Sequence, residues 1–589
     1  MSETLTPAGT RRGRAAGRKW PQPTTWLALL LPVFAWAALT YPGTFELHSG
    51  FRPVFNLADL ARSLPGLGWA PTVGQPYDLL RGEGALAYWL ALLPRALSGS
   101  SVFAIKWVLG ASFVLGAVGM YGWARRSLGD WPGLLAALVY ALWPIGLATI
   151  YVRGALAEAV FLALMPWTLW AAEAAAESGR GRDAIALAIG LAAAFWTQAG
   201  LALWLAAIVL LYIVYRDWTQ TSAEKRGEKP DRGPDGSRSL VRSAFLGWLG
   251  GLAFGIIGLL PVIARHGLSG KTYVDFADHF VFPHQLLQAG WGAGSSIAGP
   301  YDTLPFQLGL VACGLAVIGA VLGGGRGTTN QQINKSANQQ NGESASQGIN
   351  ESRITYHVSR PTFRFALAAM LILVLLSTAL SAPLWRLLPF LARTLTYPWQ
   401  LLLLVGPWLA WLAGLGGRAL LDLLPAEHRD AAAMPLFAAL LTLTLLGSTS
   451  YLNPTPISAP APDAPLAIFG DNEIALLNAE ATGMVGPNVE ASINARWQAL
   501  RPLDRDYTVF FHVIGPDGQV IGQHDTMPRD NTLPTSQWRP GQVVDDRYRA
   551  ALKPGVPPAA EIRYNLGLYQ WQTGQRLRTA TADKVVLTP

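Results

Sequence analysis

A chain of 589 residues that is 51% hydrophobic and only 14% charged lies far below the roughly 25% charge of soluble domains. That deficit excludes an ordinary soluble enzyme and points to long apolar segments without ionisable groups. The formal net charge of +8 does not indicate nucleic acid, because Lys and Arg gather at the ends of apolar stretches, where they orient a membrane protein. The single cysteine, Cys313, excludes an intramolecular disulfide, so any exported domain is held by its core alone.

A basic tail, residues 1–24, carries RRGR and then Arg18 and Lys19. The apolar stretch behind it ends in Thr40, Tyr41 and Pro42, without a small-x-small cleavage site, so it reads as a retained span. About 20 apolar residues cross a bilayer as a helix. Eleven stretches are candidates: 25–41, 102–123, 132–150, 155–172, 184–197, 199–215, 244–264, 306–323, 364–381, 398–416 and 434–450. The pair 184–197 and 199–215 is the least separated, and one tilted helix would remove a crossing. Placing the N-terminus in the cytoplasm puts the larger share of Lys and Arg inside. With eleven crossings the C-terminus is then outside.

The first outer loop, 42–101, opens with Glu46, His48 and Arg52 in YPGTFELHSGFRP. Charge at the mouth of an apolar bundle is hydrated, paired or functional. A carboxylate there can act as general base towards a hydroxyl, and His or Arg can hold a phosphate; hydration of a polar loop is the bland alternative. Within the same loop, 84–97 forms a helix too short to span, which lies at the interface. In YVRGALAEA, Arg153 and Glu158 stand at the entrance of the fourth span. They serve a lipid phosphate or an ion-pair network at the helix start. On one helix they would point about 140° apart at 3.6 residues per turn, a poor pair with each other.

The inner stretches 217–243 and 324–362 have the composition of solvated linkers. The second long outer loop, 265–305, offers Asp275, Asp278, His279 and His284 as ligands for a divalent cation. Their spacing fits no zinc signature, and no motif demands a cofactor. Trp291 among its glycines is either a sugar-stacking platform or part of a loop folded on the bundle. Arg386 and Arg393, flanking an amphipathic piece, bind a polyprenyl phosphate or snorkel to headgroups.

After a Pro-rich linker, 451–465, residues 466–589 change to period-two patterning. Strands are predicted at 473–478, 489–499, 507–514, 519–524, 543–550, 561–569 and 584–588, with tight turns at PDGQ (516–519) and QTGQ (572–575). Short antiparallel strands without helices read as a β-sandwich, its core drawing on Trp497, Phe510, Val513, Tyr564, Leu566 and Leu568. The fold class is a polytopic α-helical membrane domain, residues 25–450, followed by an extracytoplasmic all-β sandwich.

No GxxxxGK[ST] loop, GxGxxG turn, HExxH helix or GxSxG elbow is present, which argues against an ATP-driven pump. The His48 region, YVRGALAEAVFLALMPWTLW (151–170), the HFVFPHQLL…WGAGSSIAGPYD…FQLG run (279–309) and LPFLARTLTYPWQLL (388–402) carry a resemblance. The membrane part resembles the bacterial integral membrane proteins labelled 6-pyruvoyl-tetrahydropterin-synthase-related. These are similar in architecture to the GT-C superfamily of polyprenyl-phosphate-sugar-dependent glycosyltransferases. The resemblance implies a multi-pass protein of a bacterial cell membrane. Its donor is a polyprenyl-phosphate sugar in the lipid bilayer, and its acceptor an envelope glycan or protein. The family places its acidic base just past the first span, and an Asp is expected directly after the His. Here Ser49 follows His48, so Glu46 is the carboxylate left to serve. His48, Arg52, Arg153, Glu158, His279, Trp291 and Arg393 are then the substrate-binding candidates. The alternative is an inactive protein that binds envelope glycan or lipid.

Overall fold

The computed structural model describes residues 23–40, 43–45, 47–49, 52–63, 84–225, 236–266, 276–323 (without 289, 290, 293 and 295), 360–457 (without 453 and 455), 465–481, 490–552, 562–579 and 582–587. Up to residue 452 it is helical: α1 (Pro23–Leu30), α2 (Val33–Ala37), α3 (Arg52–Ser63), α4 (Ala85–Ser98), α5 (Ser101–Leu128), α6 (Asp130–Leu142), α7 (Pro144–Tyr151), α8 (Leu156–Ser178), α9 (Gly181–Thr197), α10 (Ala199–Lys225), α11 (Gly236–His266), α12 (Leu310–Ile318), α13 (Arg360–Ser377), α14 (Gly406–Asp422) and α15 (Arg429–Leu446). Among the described residues, five helices are long and apolar enough to cross a membrane, or up to seven if each of two bent pairs is one span. Each of the eleven expected stretches coincides with a helix or a helix pair, three of them with apolar helices of 10–17 residues and 184–197 with the 17-residue α9.

Local chemistry explains the breaks. The pair α6/α7 bends by 42° where Pro144 follows Trp143, and the turn Pro398–Leu404 meets α14 at 42° ahead of Pro407; proline removes a ladder donor and clashes with the preceding turn. The pair 184–197 and 199–215 is two helices, because Gln198 is extended at φ −146° and ends α9. Linker expectations change too: α10 continues to Lys225 and α11 starts at Gly236, since an established helix extends one hydrogen bond at a time at low cost. Residues 226–235 and 324–359 lie outside the described residues. On α4, Ala87, Tyr88 and Ala91 are buried while Leu90, Leu93 and Leu97 are exposed, an apolar outer face suited to lipid.

Close helix packing rests on small residues. A Cβ on Gly251 of α11 would lie 2.9 Å from the Ala188 carbonyl oxygen of α9, and one on Gly247 would lie 2.5 Å from that of Ala184. Such stripes let two backbones approach where no hydrophobic effect drives association. Towards the far ends of α5, α8 and α10 lies a polar network. Trp123 Nε1 donates to buried Glu173 at 2.7 Å, and Glu177 pairs with Arg126 at 3.0 Å and Arg216 at 3.6 Å.

The C-terminal part is the expected β-sandwich. Strands β3 (Ala467–Phe469), β4 (Ile474–Ala481), β5 (Glu490–Ala499) and β8 (Val543–Ala551) make one antiparallel sheet in the order β3-β4-β5-β8. In the other, β6 (Thr508–Ile514), β7 (Val520–Thr526), β9 (Arg563–Tyr569) and β10 (Val585–Leu587) are ordered β10-β9-β6-β7. Strand β3 is the one that alternation missed. It is three residues long, too short to show a period. Both tight turns form, each with a left-handed glycine, Gly518 (φ 77°) and Gly574 (φ 68°). Trp497, Val513, Tyr564, Leu566 and Leu568 fill the core as expected. Phe510 does not. The strand alternates, so Val509, Phe511 and Val513 point inward, while Phe510 lies on the outer face under the Arg576 guanidinium, 4.5 Å from its ring.

A strand pairing and an apolar contact help to join the sandwich to the bundle. Strand β1 (Thr44–Phe45) in the first outer loop pairs antiparallel with β2 (Pro456–Ile457) in the linker. Val54 of α3 packs against Ile468, Ala475 and Leu500.

Candidate functional site

The first outer loop lies against the turn between α7 and α8. The His48 amide donates to the Val152 carbonyl at 2.9 Å, and the Ser49 amide to the Arg153 carbonyl at 3.0 Å. Ser49 Oγ donates to the Gly154 carbonyl at 3.0 Å. Gly154 makes this approach possible: it is left-handed at φ 59°, and a Cβ there would lie 2.6 Å from Ser49 Oγ. On its other side the loop meets the sandwich, where Asn472 Nδ2 donates to the Ser49 carbonyl at 2.5 Å.

Beneath the loop, Arg153 and Glu158 form a two-armed ion pair, with Nη1 donating to Oε2 and Nη2 to Oε1 at 3.0 Å. This corrects the view of them as badly placed for each other. Helix α8 begins only at Leu156, and the turn at Gly154 takes Arg153 off the helical path. Of the two roles considered for them, this geometry is that of the ion-pair network. Glu158 is 4% exposed in the first turn of α8, where the helix dipole favours an anion. Gln400 completes the arrangement. Its Nε2 donates to Glu158 Oε1 at 2.8 Å, and its Oε1 accepts from the amides of Thr396 (2.9 Å) and Tyr397 (3.1 Å).

An aromatic wall stands over the pair. The Arg153 guanidinium lies 4.6 Å from the Trp399 ring centre, Tyr397 stacks on Trp399 at 5.1 Å, and the edge of His279 meets Tyr397 at 5.0 Å. His279 Nδ1 is 2.9 Å from Ser296 Oγ. Burial raises the Tyr397 phenol above its ordinary value; Arg153 and Arg501 act to lower it, Asp471 and Glu158 to raise it. The phenol therefore stays protonated at neutral pH and can donate a hydrogen bond. Asp471 and Arg501 belong to the sandwich, so both domains set the field at the mouth. Trp399 Nε1 and both amide atoms of Gln307 are buried without a hydrogen-bond partner among the described residues.

Of the expected site residues, the structure brings Arg153, Glu158 and His279 into one cluster, with His48 half-buried at its edge. Glu46 lies outside the described residues. Arg52 opens α3, but its side chain is likewise outside them. Trp291 packs on Tyr451 at 5.1 Å, so it belongs to a loop folded on the bundle. Arg393 is exposed on the surface. Asp278 and His284 are exposed, Asp275 lies outside the described residues, and among the described residues no three metal-ligating side chains converge. Sequence reasoning missed Gln400, Tyr397, Trp399 and Asn472. The available signal was Gln400, the single amide ahead of a run of four leucines.

Residues 83–227 match the family model described as dolichyl-phosphate-mannose-protein mannosyltransferase. That stretch runs from α4 through α10 and holds Arg153 and Glu158. No curated protein sequence matches. Among solved structures the chain is similar to the archaeal oligosaccharyltransferase AglB from Archaeoglobus fulgidus in complex with an inhibitory peptide and a dolichol-phosphate, at 14% identity and TM-score 0.38, over 74% of this chain and 56% of that one. It is similar to ArnT from Cupriavidus metallidurans bound to undecaprenyl phosphate, at 16% identity and TM-score 0.37, over 73% of this chain and 72% of that one. It is similar also to the arabinosyltransferase EmbB from Mycobacterium smegmatis, at 11% identity and TM-score 0.33, over 96% of this chain and 66% of that one. The chain spans little more than half the length of the Archaeoglobus oligosaccharyltransferase chains, 54% and 56%.

Proposed function

We propose that this protein is a membrane glycosyltransferase of the GT-C type, moving a sugar from a polyprenyl phosphate to an extracytoplasmic glycan or protein acceptor. The observation that carries the reading is the Arg153–Glu158–Gln400 cluster at one end of an apolar bundle, with Arg153 and Glu158 inside the stretch matching a mannosyltransferase family. In this reading Glu46 removes the acceptor proton, the acceptor oxygen attacks the anomeric carbon, and the carbon–oxygen bond to the lipid phosphate breaks with inversion. Arg153 uses one N–H on each terminal nitrogen for Glu158, and a guanidinium has five. It can therefore hold a phosphate without releasing Glu158; His48, Arg52 and His279 are the further substrate-binding candidates. The finer resemblance to the 6-pyruvoyl-tetrahydropterin-synthase-related membrane proteins belongs to the same proposal. So do a bacterial plasma membrane, eleven crossings, a cytoplasmic N-terminus and an extracytoplasmic sandwich.

A second reading, an inactive protein that binds envelope glycan or lipid, is favoured by Ser49 at the position where an acid is expected. The test is sugar transfer in isolated membranes supplied with labelled polyprenyl-phosphate hexoses and pentoses. Transfer that Glu46→Gln abolishes supports the enzyme and its base. Transfer that survives moves the base elsewhere, and no transfer across the panel by folded protein favours the second reading.

A further inference from the structure

The outer face of the sheet β3-β4-β5-β8 carries a groove of about 1090 Å³. Its floor is built from facing residues of three strands: Asn478 and Glu480 of β4, Asn494 and Arg496 of β5, and Asp545 and Arg547 of β8. Register places them side by side, Asn478 opposite Arg496, Arg496 opposite Asp545, and Asn494 opposite Arg547. Arg496 holds Asp545 through two bonds of 2.6 and 3.2 Å, and Asn478 donates to Glu480 at 2.7 Å. One rim is the segment after β7, where Arg529, Asp530 and Asn531 are left-handed in succession, at φ 54°, 50° and 66°. The Arg529 amide ties this rim to Asp546 Oδ2 at 2.8 Å, and Asn531 Oδ1 accepts from the Met527 amide at 3.0 Å. Non-glycine residues in that region are costly and persist where the surroundings hold them in place.

The groove begins next to the contact with the bundle, because Asn478 of its floor directly follows Leu477 on β4. Ala475 and Leu477 of β4 belong to the patch packed on Val54. Glu480 lies three residues beyond Leu477, about 10 Å along a strand that rises 3.3 Å per residue.

The lining chemistry narrows the occupant. Carboxylates alternate with guanidiniums, so the groove lacks the single-signed field that a nucleic acid or polyphosphate requires. Ala495 is the one apolar lining residue, which leaves no pocket for a lipid chain or for the apolar anchors of a peptide. Planar amide, carboxylate and guanidinium groups side by side suit pairs of neighbouring hydroxyls, each a donor and an acceptor. We propose that this groove binds an uncharged oligosaccharide and leads one end of it toward the mouth of the bundle. Binding of this kind is independent of whether the bundle transfers sugar.

The test uses the full chain in lipid nanodiscs on an array of neutral hexose and pentose oligosaccharides, with acidic oligosaccharides and mixed-charge peptides as competitors. The variants are Asn494→Ala/Arg547→Ala and, separately, Arg496→Gln, all at exposed positions outside the core; thermal melting confirms which of them fold. The expected result is binding of at least one neutral oligosaccharide, weakened about tenfold or more in whichever variant melts like the wild type, the loss of a charge-assisted hydrogen bond. Absence of neutral-glycan binding, binding untouched by both variants, or binding of acidic glycans or peptides alone would overturn the proposal.

Discussion

At the residue scale, the candidate site turns on a charge pair that water barely reaches. The Arg153 and Glu158 side chains are 15% and 5% exposed. Removing one partner from such a pair leaves a buried charge uncompensated, at about 3–5 kcal/mol, whereas replacing both with apolar groups of similar size is often neutral. Glu158→Gln should therefore lower thermal stability in nanodiscs by about that amount, and Arg153→Met/Glu158→Leu should recover most of it. Equal loss in both variants would show that the loss does not come from an unpaired Arg153 charge. Both residues stand out in the sequence as charges at a span entrance, but their pairing did not. It depends on where α8 begins, and Gly154 decides that through a backbone angle that composition does not reveal. Gln400 was hidden for another reason. Its partner Glu158 is 242 positions away, and nothing local distinguishes a bonding amide from a chance polar residue.

At the element scale, periodicity carried most of the fold. Apolar stretches long enough to span became helices, and seven of the eight sandwich strands follow from alternation. Where alternation was ambiguous, one residue of phase mattered. Phe510 and Phe511 are adjacent and both buried, at 1% and 0% exposure, yet they lie on opposite faces of β6. Phe511→Ala opens a cavity between two sheets and should cost about 3–5 kcal/mol, measured as a shift in the melting of the sandwich. Phe510→Ala should cost clearly less, because Arg576 can settle into the space from the solvent side. The glycine face of α11 against α9 was equally invisible to hydropathy, which scores how apolar a helix is and not how closely it can be approached.

At the scale of the whole molecule, sequence reasoning separated an apolar helical region from a C-terminal sandwich. It did not find that the two are joined. Strand β2 in the linker and Asn472 in the sandwich both hold the first outer loop, the same loop that lies on Arg153. Such contacts link distant parts of the chain, and a single sequence carries no record of them. If the docking is as described, Ser49→Cys/Asn472→Cys in a Cys313→Ala background should crosslink on mild oxidation, read as a mobility shift on non-reducing gels after cleavage between the domains. Failure to crosslink, with both single variants reactive to a thiol probe, would mean that the sandwich stands away from the loop.

That clasp also sets an order in time. Asn472 follows its partner Ser49 by 423 positions. At roughly 5–20 residues per second of synthesis, the loop waits on the order of 20–80 s before the group that secures it exists. Through most of its own biosynthesis the bundle therefore has an unlatched mouth. The latch closes only on a chain whose sandwich has begun to fold, so chains that have not yet reached it hold this loop without that restraint.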